Sequence, residues 1–147
     1  MRESISLEEA QRVLEAALSE CRRRGFRTAV AVVDAHGDLV TAARLDGARH
    51  YYADVATGKA MSAAIFEESS RTAGTRPMPG GAPPIPSRPD SVPSRVNALH
   101  GGRIVYAAGA VPLMRDGTVI GAVGVGGSGP DTDEEVAIHA AQQLGSK

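Results

Sequence analysis

Seven of the nine prolines fall between Pro77 and Pro93, and this cluster constrains the fold more than any other feature of the chain. Proline lacks a backbone N–H and fixes φ, so such a run suits neither a helix interior nor a central strand. We therefore predict a long proline-rich loop at residues 76–95, between two more regular parts of the chain. Loops of this length in a compact domain are usually functional or disordered.

The same region carries an unbalanced charge. Between positions 69 and 103 a single acid, Asp90, stands against five arginines: Arg71, Arg76, Arg88, Arg95 and Arg103. Guanidinium groups pair well with carboxylates and phosphates. We expect the loop to cover a ligand pocket or to reach acids of a second subunit, such as those at positions 131–135. The alternative is a disordered surface excursion.

The first half of the chain predicts a helix, a hairpin and a second helix. Ser6 and Glu9 fit a capping box before an apolar helical face that runs to Cys21, and Gly25 ends that helix. Strands are predicted at 28–33 and 39–45, joined by a turn at 34–38. An alanine-rich helix follows at about 52–65, and its small residues would let it lie close to a sheet.

The last third predicts three strands and a helix, at 102–108, 110–115, 118–125 and about 132–144. Thr132 and Glu135 fit a second capping box. Tight turns join most strands that are neighbours in sequence. This order favours an α+β fold with one five-stranded antiparallel sheet, in a single domain at residues 1–147.

Composition excludes several function classes. The net charge of -1 argues against a nucleic-acid partner, and the absence of a long apolar run argues against a membrane span. Cys21 is the only cysteine, so no intramolecular disulfide can form. The first residues lack the pattern of a signal peptide, and we expect a cytoplasmic protein.

The glycine-rich run "VGVGGSGPDTDEE" has the position of a phosphate-binding loop, between a strand and a helix. However, its acids occupy the positive end of the helix dipole and would repel a phosphate. We interpret this run as a capped helix start.

Three side chains are the candidate catalytic groups. His50 and His100 stand beside predicted element ends, where a histidine can ligate haem iron or transfer a proton. Lys59 falls on the apolar face of the alanine-rich helix, so it must either extend to solvent or meet an anion. An ordinary loop histidine remains the alternative for each of His50 and His100.

The chain resembles the GlcG/HbpS family, which includes haem-binding proteins and the C-terminal domain of PduO-type proteins. The resemblance runs nearly end to end, and the order and spacing of its motifs are more specific than any one of them. The motifs are "SLEEAQRVLEAAL", "AVAVVDAHGDLVTAARLDGA", "GKAMSAA", "GGRIVYAAGAVPL" and "GTVIGAVGVGGSGPDTDEEVA".

This resemblance implies a profilin-like three-layer α/β/α fold, homo-oligomers, and binding of haem or a similar planar ligand. Positions that match the family pattern are Lys59, Gly101, Gly102, Gly109 and Pro112. Gly101 and Gly102 would let the loop fold over the sheet edge near the helix that bears Lys59, and the small residues after them would leave room for a flat ligand or a partner subunit. We expect that ligand to contact Arg76, Arg95, Gly101, Gly102, Arg103 and Gly109, with His100 or His50 as the metal ligand.

Two alternatives stay open. The first is a cofactor-free enzyme for a small anionic or carbonyl compound, in which Lys59 and loop arginines hold the anion and a histidine moves a proton. The second is a non-catalytic assembly module that packs an alanine-rich surface, around Ala60, Ala63 and Ala64, against another subunit.

Overall fold

Four antiparallel strands form one sheet in the order β2-β1-β4-β3. In the computed structural model, which describes residues 3–73 and 91–145, the elements follow one another along the chain. They are α1 (Leu7–Arg24), β1 (Ala29–Asp34), β2 (Leu39–Arg44), α2 (Tyr51–Phe66), α3 (Val92–Leu99), β3 (Ala110–Arg115), β4 (Thr118–Gly126) and α4 (Pro130–Ala141), with a final 3-10 turn at Gln142–Gly145. The α+β class with an antiparallel sheet is as predicted.

The sheet has four strands in the described part of the chain, so the prediction of five is wrong. The predicted strand at 102–108 is the one that is missing. Within it, the N–H of Val105 donates to the carbonyl of Gly58 in α2, at 3.1 Å, and not to a strand. This segment lies across a helix because Gly58 presents no side chain there.

Helices cover both faces of the sheet. Val30 and Val32 of β1 pack into one cluster with α1 and α4. Ala29, Ala31 and Val33 point to the opposite face and pack against α2. Because both faces are covered, β1 is buried along nearly its whole length.

α2 lies very close to the sheet, as its small residues predict. A Cβ added to Gly124 of β4 would stand 2.2 Å from the carbonyl oxygen of Ala56. Ala60, Ala63 and Ala64 are also buried against this sheet. The alanine-rich surface expected to receive a second subunit is therefore the internal contact between α2 and the sheet, and that expectation is wrong.

The two ends of α1 are as predicted. The hydroxyl oxygen of Ser6 accepts from the N–H of Glu9, and the Glu9 carboxylate accepts from the N–H of Ser6, both at 3.1 Å. Gly25 ends the helix in the left-handed region, with φ of 74°. The capping box fixes where the chain turns into its first buried helix.

The predicted capping box of Thr132 and Glu135 is wrong. α4 begins two residues earlier, at Pro130, and Gly129 precedes it. The Thr132 hydroxyl donates to the carbonyl of Ser128 at 2.7 Å, so it braces the preceding turn and not the helix. Proline suits this position because its missing N–H is not needed in a first turn.

The proline-rich loop at 76–95 falls mostly on residues 74–90, which lie outside the described residues. Its last part is helical, since α3 begins at Val92. The Ser91 hydroxyl accepts from the N–H of Ser94 at 3.1 Å, and Pro93 stands in the first turn. Across the described ranges, no helix is both long enough and apolar enough to cross a membrane.

Candidate functional site

A cavity of about 410 Å³ lies along α2. Residues 102–105 form one side of it, and the start of β2 contributes Leu39. Its apolar wall comes from Leu39, Tyr51, Val55, Met61 and Val105, and its charged groups are Asp54 and Arg103. We call this space the α2 cavity. Its volume lies within the range of small-molecule sites.

Gly58 explains why residues 102–105 can lie on α2. A Cβ at position 58 would stand 2.5 Å from the carbonyl oxygen of Arg103 and 2.6 Å from a methyl group of Val105. Glycine inside a helix costs about 1 kcal/mol relative to alanine. The glycine is needed despite that cost because the backbone of residues 103–105 approaches the helix closely here. This approach forms one side of the cavity.

A tight turn leads from α3 to the cavity. Gly101 and Gly102 both have positive φ, 70° and 75°, which other residues adopt with strain. Asn97 holds the turn on both sides: its carbonyl accepts from the N–H of Gly102 and its Oδ1 from the N–H of Ile104, each at 2.8 Å. These bonds fix the position of Arg103 on the cavity wall.

Arg103 is oriented by the same turn. Its Nε donates to the carbonyl of His100 at 3.0 Å. No other hydrogen bond or ion pair of its guanidinium involves the described residues. Its two terminal nitrogens can donate a pair of hydrogen bonds to the two oxygens of a carboxylate.

The two candidate histidines differ in their surroundings. The Nδ1 of His100 lies 2.8 Å from the carbonyl of Val96, which can only accept, so Nδ1 carries the proton. In the neutral imidazole this hydrogen bond leaves the lone pair on Nε2. His50 is exposed at the start of α2, next to Tyr51, and its ring makes no hydrogen bond to any described residue. Neither imidazole belongs to the cavity lining.

A tyrosine ties the start of α3 to the segment that follows residues 102–105. The hydroxyl of Tyr106 donates to the carbonyl of Pro93 at 2.6 Å. Its ring meets Phe66 edge-on, with centroids 5.8 Å apart. Burial raises the pKa of Tyr106 to about 12, so the hydroxyl remains a donor across the ordinary pH range.

Lys59 meets an anion, as one reading of its position predicts, but the anion belongs to the same chain. Its Nζ lies 3.1 Å from Oδ2 of Asp133 and donates to the carbonyl of Val125 at 3.2 Å. The other carboxylate oxygen of Asp133 accepts from the N–H and hydroxyl of Ser128. This pair joins α2 to α4 across the end of β4.

Gly109 belongs to this buried pair and not to the α2 cavity. A Cβ there would stand 2.7 Å from Nζ of Lys59 and 2.8 Å from the carbonyl of Val125. The small residue at 109 makes room for the lysine side chain. The expectation that it leaves space for a flat ligand is therefore wrong at this position.

The acids at the start of α4 are also bound within the chain. Arg71 forms ion pairs with Asp131 and Glu134, and Arg24 lies 3.0 Å from Glu135. The unbalanced charge of the loop predicts these acids as partners for the loop arginines of another subunit. In the structure each of them already has a partner inside the chain.

The structure thus divides the predicted site residues. Gly102 and Arg103 line the α2 cavity, and His100 and Gly101 stand in the turn before it. Arg95 is exposed on α3, Lys59 and Gly109 are buried elsewhere, and Arg76 lies outside the described residues. Sequence reasoning missed Asp54, Gly58 and Asn97. Only Gly58 gave a signal, as a glycine inside a helix.

Candidate metal ligands are sparse. Among residues 3–73 and 91–145, no group of three histidine, cysteine or acidic side chains is close enough to hold a metal ion. A metal ion held only by protein side chains is therefore unsupported there. A metal that arrives inside an organic ligand needs at most one or two protein donors.

Comparison with known proteins identifies the family. A family model described as "Haem degrading protein HbpS-like" matches residues 5–142, nearly the whole chain. No curated protein matches the chain by sequence.

Several solved structures share the fold. Protein ORFY of Klebsiella pneumoniae has a TM-score of 0.80 at 23% identity, covering 100% of this chain and 94% of that one. A double mutant of HbpS from Streptomyces reticuli has a TM-score of 0.78 at 25% identity, covering 99% and 90%. A structure described as a PduOC:heme complex has a TM-score of 0.73 at 22% identity, covering 95% and 94%. The chain belongs to the HbpS-like family.

Proposed function

We propose that this member of the HbpS-like family binds a flat ligand, haem or a similar planar molecule that carries a carboxylate, in the α2 cavity. One observation carries the proposal. An apolar wall that includes Tyr51, Val55 and Val105 stands beside a guanidinium, Arg103, whose terminal nitrogens have no partner among the described residues. This combination suits a ring system with an acidic substituent.

Residues of the cavity and of the turn before it fit such a ligand in three respects. The apolar side chains cover the face of a ring, and Arg103 holds a carboxylate. His100, in the turn before the cavity, would offer the Nε2 lone pair of its neutral form, because its Nδ1 is engaged with the Val96 carbonyl at 2.8 Å. A histidine that ligates a metal usually donates its other ring N–H in this way. The iron of a bound haem would supply the redox and ligand-binding chemistry.

The size of the cavity limits how the ligand lies. About 410 Å³ is at the lower end of the range for small-molecule sites. A tetrapyrrole is larger than this space, so the apolar wall would contact part of the ring system and the rest would face solvent. The family description and the solved haem complex of PduOC agree with this ligand class.

Catalysis that depends on Lys59 has less support. Its side chain is only 5% exposed, and its ammonium is bound to Asp133. A substrate anion would have to displace an internal carboxylate held by two further hydrogen bonds. Homo-oligomers remain an expectation from the family resemblance.

Haem titration tests the proposal. The purified protein should develop a Soret band that saturates, and Arg103→Gln should weaken the affinity by about tenfold, the loss of one charge-assisted contact. Arg12→Gln, an exposed arginine on α1, is the matched control and should bind like the parent. No spectral change at a several-fold excess of haem would overturn the proposal.

The same titration distinguishes the two histidines. If His100 ligates the iron, His100→Ala should shift the Soret maximum, whereas His50→Ala should leave the spectrum of the complex unchanged. The reverse result would identify His50, at the start of α2, as the axial ligand.

A further inference from the structure

Asp54 is a second charged group on the wall of the α2 cavity, and the binding of a carboxylate does not need it. It stands in the first turn of α2 and is exposed. Its carboxylate forms no hydrogen bond or ion pair with any residue in 3–73 or 91–145. A carboxylate on the wall of an apolar cavity repels a second negative charge brought beside it.

Asp54 and Arg103 face the same cavity but do not pair with each other. The wall therefore presents one positive and one negative group, each with no ion-pair partner among the described residues, together with apolar side chains. A ligand with one carboxylate satisfies Arg103 and can keep its negative charge away from Asp54. A ligand with two carboxylates must bring the second one close to Asp54 or leave it in solvent.

We infer that Asp54 sets the charge of the accepted ligand. The α2 cavity favours a planar molecule with one carboxylate over a planar dicarboxylate. This inference rests on the proposed function, since it concerns the same cavity. It makes Asp54 a specificity-determining residue. It also predicts that haem, with two propionates, binds with lower affinity than a similar porphyrin with one carboxylate.

A structural role for Asp54 is the competing explanation. An acidic residue in a first helical turn interacts favourably with the helix dipole. Such a role would make Asp54→Asn slightly less stable but would not change the affinity for one ligand relative to another. The discriminating quantity is therefore the ratio of two affinities measured on the same variant.

The test compares two porphyrins. One is haem, with two free propionates, and the other is haem in which one propionate is converted to a neutral amide. Wild-type protein should bind the monoamide about three- to tenfold more tightly at low salt, the size expected for one like-charge repulsion near a surface. Asp54→Asn should remove most of this preference by strengthening the binding of haem. High salt should reduce the preference in the wild type.

Two further variants separate charge from position. Asp54→Glu keeps the charge and should keep the preference. Asp116→Asn removes an exposed acid in the β3–β4 turn that does not line the cavity, and should also keep it. Melting temperatures of all variants identify any loss of folding.

The outcomes separate the inference from the proposed function. If haem binding depends on Arg103 but the two porphyrins bind equally, or if Asp54→Asn leaves their ratio unchanged, only the inference is overturned. If Asp116→Asn changes the ratio as much as Asp54→Asn, the effect is one of net charge and the inference is also overturned. If neither the wild type nor Asp54→Asn binds either porphyrin, both proposals fail.

Discussion

The Nζ of Lys59 lies 3.1 Å from Oδ2 of Asp133, and the two side chains are 5% and 2% exposed. Lys59 comes from the helix on one face of the sheet, and Asp133 from a helix on the other. The ion pair therefore closes the end of the sheet between them.

Removing one partner of this pair should be costly. Lys59→Met leaves a buried carboxylate without its cation, and we expect a loss of about 3–5 kcal/mol in the free energy of unfolding. The double variant Lys59→Met/Asp133→Leu removes both charges and should recover part of that loss. Urea denaturation of the parent, the single variant and the double variant gives the three free energies of unfolding. A single variant as stable as the parent would contradict the buried pair.

Gly58→Ala should displace the segment at 102–105. Its Cβ would stand 2.5 Å from a backbone oxygen, and a backbone atom cannot move aside as a flexible side chain does. We expect the variant to lose haem affinity and stability, although alanine favours a helix by about 1 kcal/mol over glycine. Gly145→Ala, where a Cβ meets nothing within 4 Å, is the matched control. A stabilised Gly58→Ala protein with unchanged binding would refute the contact.

Asn97 should act as a positioning residue for Arg103. Asn97→Ala leaves the N–H of Ile104 without its acceptor and should cost about 1–3 kcal/mol of stability. Haem affinity should fall along with stability, while Asn97→Asp, which keeps an acceptor oxygen, should retain most of both. Equal binding by Asn97→Ala and the parent would show that the turn does not depend on this side chain.

Cys21 should be unreactive in the folded protein. It is fully buried in α1, and burial raises the pKa of its thiol. A thiol reagent at pH 8 should label it slowly, and rapidly once the protein is unfolded in urea.

The same shift has a consequence for stability. The pKa of the Cys21 thiol is higher in the folded protein than in the unfolded chain. The neutral thiol therefore contributes fully to the free energy of unfolding below the unfolded pKa of about 8.5, and this contribution is lost as pH rises toward the folded pKa. Stability of the parent should therefore decline more steeply above pH 8.5 than that of Cys21→Ala. Parallel curves would contradict the assigned shift.

Local signals in the sequence located α1, both hairpins and α2 correctly, because periodicity and caps act within a few residues of one another. Proline content misled the interpretation of α3. Ser91 and Pro93 form a normal helix start, and a proline in the first turn costs little. The count of prolines obscured that local pattern.

The site depended on contacts that are distant in sequence. The apolar run at 104–106 has the composition of a strand, but Val105 donates to α2 and not to a neighbouring strand. The sequence placed Lys59 on a buried face without identifying Asp133, 74 positions later, as its partner. Asp54 had no signal at all, since an acid in a first helical turn is ordinary.

The hydrogen bond between Val105 and Gly58 also bears on the unfolded chain. It closes a long loop of sequence, and all seven clustered prolines lie within that loop. Each proline restricts the unfolded segment, so bringing the two ends together sacrifices less chain entropy than a glycine- or serine-rich loop of equal length would. The prolines thus reduce the number of conformations of the unfolded chain, and this lowers the entropy cost of forming the contact that completes the α2 cavity.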